Sequence, residues 1–118
     1  MPSRYGIHRI GPAQARQRTA QGGAALLDVR EACEWAAGHA PGALHMPLTR
    51  LLAGVAPPPS AQGRPVVVIC RSGNRSRQAA ELLVDSGVEA ADVTGGMIAW
   101  AREGLPVVDD RGDSGVIA

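Results

Sequence analysis

The sequence predicts an α/β fold, an open parallel sheet with helices on both faces, and three observations lead there. Val66-Val67-Val68-Ile69 is β-branched at every position without polar alternation, as in a strand buried on both faces. Strand-like runs alternate with helical patterns along the chain, the arrangement that builds a parallel sheet. The length of 118 residues fits one domain, and with 3% aromatics and no Phe the core must be Ala, Val, Leu and Ile. The domain is expected over 1–108, followed by a polar, glycine-containing tail, 109–118, expected to be loosely held.

Each element has its own signal. A helix over 12–21 opens with Pro at a first helical position and stops at Gly22-Gly23. A strand over 25–29 is followed by a helix over 31–37, which stops at Gly38. A strand over 43–46 leads into a helix over 47–53, which stops at Gly54. Pro57-Pro58-Pro59 excludes helix and central strand, so 56–63 is a surface loop. After the strand over 66–70, a helix over 74–86 places Ala79, Ala80, Leu83 and Val84 on one side and stops at Gly87. A weaker strand over 91–93 and a helix over 97–103, ended by Gly104 and Pro106, complete the pattern.

Charge and cysteine content narrow the function. The net charge is +1, which gives no general attraction to nucleic acid or to an anionic membrane. Residues 1–10 lack the apolar core of a secretory leader, and no apolar run approaches the ~18–20 residues of a membrane span. A cytoplasmic protein is expected, in which Cys33 and Cys70 stay reduced. His8 and His45 have no Cys or His at metal-ligand spacing, so neither a metal nor a cofactor is expected.

Cys70 draws attention because it ends the most buried strand, and ligands of open α/β sheets sit beyond the carboxyl ends of the strands. Arg71-Ser72-Gly73-Asn74-Arg75-Ser76-Arg77 follows, and then the helix. A Cys in this position is in general a small inert hydrophobe. Here a short Gly-containing turn leads into a helix N-terminus, which can aim backbone N–H groups and the helix dipole at the sulfur and favour the thiolate. Arg71, Arg75 and Arg77 precede any acidic residue up to Glu81, a local excess of positive charge that attracts a small anion. An anion receptor around a nucleophilic sulfur suits two substrate classes, sulfur oxyanions and phosphate esters.

Cys70-Arg71-Ser72-Gly73-Asn74-Arg75-Ser76 resembles the active-site loop of single-domain rhodaneses. Leu27-Asp28-Val29-Arg30-Glu31, Glu34 and Gly38-His39-Ala40-Pro41-Gly42-Ala43 resemble the family's N-terminal signature. Gly95-Gly96-Met97-Ile98-Ala99-Trp100 and Gly104-Leu105-Pro106-Val107 resemble its C-terminal one. The resemblance implies a single rhodanese-like domain with a five-stranded parallel sheet. It also implies transfer of sulfane sulfur from thiosulfate or a similar small anionic donor, through a persulfide on Cys70, to a thiol, a sulfur-acceptor protein or cyanide. Backbone N–H groups of Arg71 to Ser76 would stabilise the persulfide, and Arg71 and Arg75 would hold the donor's sulfonate; substrate binding is thus expected across Arg71, Ser72, Gly73, Asn74, Arg75 and Ser76.

Two rivals share these residues. One is a protein-to-protein sulfur relay or redox-sensing persulfide carrier with little turnover on small donors. The other is a phosphatase or arsenate reductase, but related phosphatases place five residues between Cys and Arg, and here four separate Cys70 from Arg75. Asp28 and Arg30 are read as a structural pair, and His39, in turn-forming Gly38–Gly42, as a loop clamp. Cys33 is expected to pack in its helix, with a resolving thiol as the alternative.

Overall fold

The computed structural model describes residues 8–118; the first seven, which belong to the expected domain 1–108 and to the stretch read for a leader, lie outside the described residues. The elements run β1 His8–Ile10, α1 Pro12–Ala20, β2 Ala25–Asp28, α2 Ala32–Ala37, β3 Leu44–His45, α3 Leu48–Leu52, β4 Val66–Ile69, α4 Asn74–Asp85, β5 Ala90–Val93 and α5 Gly96–Arg102. All five strands are parallel, in the order β1-β5-β4-β2-β3. The valine-rich strand β4 is therefore central, as its unbroken apolar run requires.

Alternation along β4 divides the core into two halves. Val66, Val68 and Cys70 face α3 and α4, where Leu48, Ala79, Ala80 and Leu83 pack. Val67 and Ile69 face the opposite layer, against Ala15 of α1 and Met97 and Trp100 of α5. No helix among the described residues is long and apolar enough to cross a membrane.

The sequence reading differs from the structure at element ends, at one strand and in the tail, and a 3-10 turn, Pro59–Ala61, forms within the 56–63 loop from which helix was excluded. Element ends move by at most one residue, because capping residues such as Glu31 are half inside their helices. Strand β1 was not read from the residues at all: it is three residues long and buries only Ile10. The expectation of a loosely held tail at 109–118 is corrected. Asp109 Oδ1 accepts the N–H groups of Arg111 (2.9 Å) and Asp113 (3.0 Å), which turns the chain back on itself. The returning segment bridges Ser114 to Val108, donates from Gly115 N to Val107 O (2.9 Å) and from Val116 N to Ala37 O (3.0 Å), and packs Ile117 on the α1–α5 core. Glycine permits this approach. A Cβ on Gly38 would lie 2.8 Å from Val107 Cγ1, and one on Gly115 2.8 Å from Val108 C.

Candidate active site

Cys70 follows the last residue of β4 with its side chain on the α4 side, only 1% exposed. The chain then reverses through Arg71, Ser72 and Gly73 into α4, and Gly73 takes a left-handed φ of 111° that favours glycine. The start of α5 secures this turn from the other side. Its first N–H groups have no partner within their own helix; Met97 N donates to Cys70 O (2.7 Å) and Ile98 N to Arg71 O (3.0 Å). Gly96 sits so close to the backbone of Cys70 and Arg71 that a Cβ there would collide with both. Drawing the carbonyls towards α5 leaves the opposite side of the turn for N–H groups.

Two groups reach the sulfur. Gly73 N–H donates to Cys70 Sγ at 3.1 Å, and Ser76 Oγ lies 3.4 Å away. Of the N–H groups from Arg71 to Ser76 expected around the sulfur, Gly73's is the one within hydrogen-bond reach, because the reversal is complete within three residues. Ser76 is fully buried, whereas Ser72 and Asn74 are exposed on the rim.

The arginines of the loop are engaged by the protein itself. Arg75 forks onto Glu34 of α2, with Nη1–Oε1 at 2.6 Å and Nη2–Oε2 at 2.8 Å. Hydrogen bonding to Arg75 is the main cause holding the Glu34 carboxyl at about 2, against an ordinary value of 4.5. The same pair raises the pKa of Arg75, through Glu34 first and to a smaller degree through the charge on Cys70. Arg71 Nε donates to Ala118 O (2.9 Å), which brings the C-terminal tail to the edge of the loop. Arg77 points outward, 3.8 Å from Glu81. The expected positive excess is thus partly neutralised.

Comparison with known proteins agrees with this geometry. The rhodanese-like domain family matches residues 11–103. The chain is a rhodanese-like domain. It is 41% identical over 88 residues to a sulfurtransferase of Allochromatium vinosum, covering 74% of this chain and 80% of that one. It is also 38% identical over 103 residues to an uncharacterised protein of Synechocystis, covering 86% of this chain but spanning only 56% of that relative's length. Among solved structures it resembles a rhodanese-related protein from Thermoplasma volcanium (TM-score 0.73, 30% identity, 86% of this chain and 98% of that one). A protein of unknown function from Rhodopseudomonas palustris, described as a possible tyrosine phosphatase, is similar too (TM-score 0.75, 25% identity, 90% and 88% covered).

The N-terminal signature of this rhodanese-like domain forms a buried frame beside the loop. Asp28 and Arg30 are both fully buried and joined by a fork, Nε–Oδ1 at 3.0 Å and Nη2–Oδ2 at 2.9 Å. Arg30 Nη2 also donates to Gly38 O (2.6 Å), while its Nη1 has no protein partner among the described residues. His39 Nδ1 donates to Trp35 O (2.8 Å), and its ring stacks on Trp35 with centroids 3.6 Å apart. His45 lies on Trp35 as well (4.8 Å) and donates from Nε2 to Arg30 O (2.8 Å). Cys33 is exposed, which corrects the expectation that it packs.

Sequence reasoning missed two residues of the site and the partner of a third. Asp92, on β5, is fully buried and accepts hydrogen bonds from Ser76 Oγ (3.2 Å), Arg9 Nε (3.1 Å) and Arg9 Nη2 (2.9 Å). These bonds raise the pKa of Arg9, with a smaller contribution from Cys70. A carboxylate inside an otherwise apolar strand, Ala90-Ala91-Asp92-Val93, was the available signal, since buried charges are paired. Nothing in the sequence paired Glu34 with Arg75.

Proposed function

We propose that this protein is a sulfurtransferase that carries sulfane sulfur as a persulfide on Cys70. The observation that supports it most directly is a cysteine sulfur at the carboxyl end of the central strand, facing a helix start and accepting the Gly73 N–H at 3.1 Å. The sulfurtransferase of Allochromatium vinosum extends the same reading to this chain.

In the first step the Cys70 thiolate attacks the outer sulfur of thiosulfate or a similar small anionic donor. A new S–S bond forms, the donor's S–S bond breaks, and sulfite leaves with the bonding pair. In the second, an acceptor thiolate or cyanide attacks the outer sulfur and expels Cys70 as thiolate. Splitting one transfer into two displacements is covalent catalysis. Gly73 N–H and the start of α4 stabilise negative charge on the sulfur in both steps. No base is required once the thiol has ionised, and the free thiols this chemistry needs suit the cytoplasm.

A second reading, protein-to-protein sulfur relay, is favoured by the arginines. Arg75 is held by Glu34 and Arg71 by Ala118 O, so a sulfonate dianion must compete for both. A thiol persulfide donor makes no such demand. The phosphatase reading is disfavoured by the four-residue spacing from Cys70 to Arg75.

Mass spectrometry of the intact protein tests these readings. Incubation with thiosulfate is expected to add one sulfur to Cys70 and release sulfite, and Cys70→Ser, with an unchanged fold, is expected to do neither. Loading by a persulfidated protein but not by thiosulfate selects the relay. Hydrolysis of an aryl phosphate without any sulfur gain refutes both.

A further inference from the structure

Both groups that touch the Cys70 sulfur lead back to one guanidinium. Gly73, whose N–H donates to Sγ, accepts Arg9 Nη2 at its carbonyl (3.0 Å). Ser76, 3.4 Å from Sγ, donates to Asp92 Oδ2, and the same oxygen accepts Arg9 Nη2. Arg9 comes from the edge strand β1, Asp92 from β5 and Ser76 from α4, so three separate elements close one ring of hydrogen bonds through the sulfur. Asp92 and Ser76 are 0% exposed, which shields their hydrogen bond from bulk water.

A serine hydroxyl has a single proton. While that proton points at the Asp92 carboxylate, Ser76 presents lone pairs to Cys70, and the thiol S–H is the donor between them. Once the sulfur carries negative charge, lone pairs facing it repel, and the hydroxyl proton is worth more on the sulfur than on an aspartate that Arg9 already satisfies. We propose that Arg9 and Asp92 are positioning residues that act on Cys70 through the direction of the Ser76 hydroxyl. The hydroxyl is held on Asp92 while the sulfur is protonated and turns to the sulfur when it is charged. The other charged groups near this centre are Arg71 in the turn and Arg75 of α4 with its partner Glu34 of α2. The idea rests on Cys70 as the reacting sulfur but makes its own prediction.

The test is a double-mutant cycle read by the pH profile of Cys70 alkylation with iodoacetamide, in a Cys33→Ser background because Cys33 is exposed. Asp92→Asn releases the hydroxyl to the sulfur and is expected to move the profile by about half a pH unit towards acid, about threefold in rate on the acid limb. In Ser76→Ala, the same Asp92→Asn change is expected to move nothing further. An equal shift with and without the Ser76 hydroxyl overturns the proposal, because the carboxylate then acts through space or through the fold. Arg9→Gln probes the same wiring from the partly exposed edge should Asp92→Asn fail to fold. It strengthens the hold of Asp92 on the hydroxyl and also frees the Gly73 carbonyl, so the profile is expected to move towards base, and further with Ser76 than in Ser76→Ala; an equal shift in both, or none with Ser76 present, overturns the idea. Persulfide formation without this coupling sinks the positioning role of Arg9 and Asp92 alone. Coupling without sulfur gain from any donor sinks the proposed function alone.

Discussion

The Glu34–Arg75 fork shows how one ion pair can serve folding and work against substrate at once. Glu34→Gln leaves Arg75 free to meet an anionic donor, so the KM for thiosulfate is expected to fall several-fold while kcat changes little. Steady-state sulfite release checks this. The same change is expected to lower stability by about 1–2 kcal/mol near neutral pH, since the pair is forked but only part-buried. The sign follows from the depressed carboxyl: its stabilisation is complete above the ordinary value of 4.5 and is lost as pH falls towards about 2. Urea melts of wild type and variant are therefore expected to differ at neutral pH and converge in acid. At Asp28–Arg30, where both partners are fully buried, Asp28→Asn is expected to cost about 3–5 kcal/mol, measured the same way. Cys70 and its loop were legible in the sequence because they are contiguous. The pairings Arg75–Glu34 and Arg9–Asp92 were not, since 41 and 83 positions separate the partners and no local pattern joins them.

Among the elements, α5 governs the site although it contributes no side chain to the sulfur. Its first turn holds the carbonyls of Cys70 and Arg71, and Gly96 makes that contact possible. Gly96→Ala is expected to push the reactive turn away, with a stability loss of about 1–3 kcal/mol and near-complete loss of persulfide formation. A melt together with mass spectrometry separates the two effects. The strands and helices that build this arrangement were largely readable, because glycines end the helices and the β-branched run of β4 admits only a central strand. Strand β1 escaped detection for a physical reason. It has three residues, two of them exposed, so it leaves no periodic trace, and its place is set by pairing with β5 rather than by its own sequence.

For the molecule as a whole, the returning C-terminal segment changes what the domain includes. Removing residues 115–118 is expected to strip Ile117 from the core and the Ala118 contact from Arg71, lowering stability by about 1–2 kcal/mol. It is also expected to make Arg71 more available to a donor, read as faster sulfur loading from thiosulfate below saturation. The segment reads as a polar tail because its docking depends on backbone-to-backbone contact at Gly38 and Gly115, which hydropathy does not register. The 1% exposure of Cys70 has a kinetic corollary at this scale. A sulfur this covered is expected to meet a reagent only when the groups over it swing aside. Modification rates should then stop rising with reagent concentration and level off at a ceiling common to electrophiles of different intrinsic reactivity, a ceiling that measures the frequency of that swing.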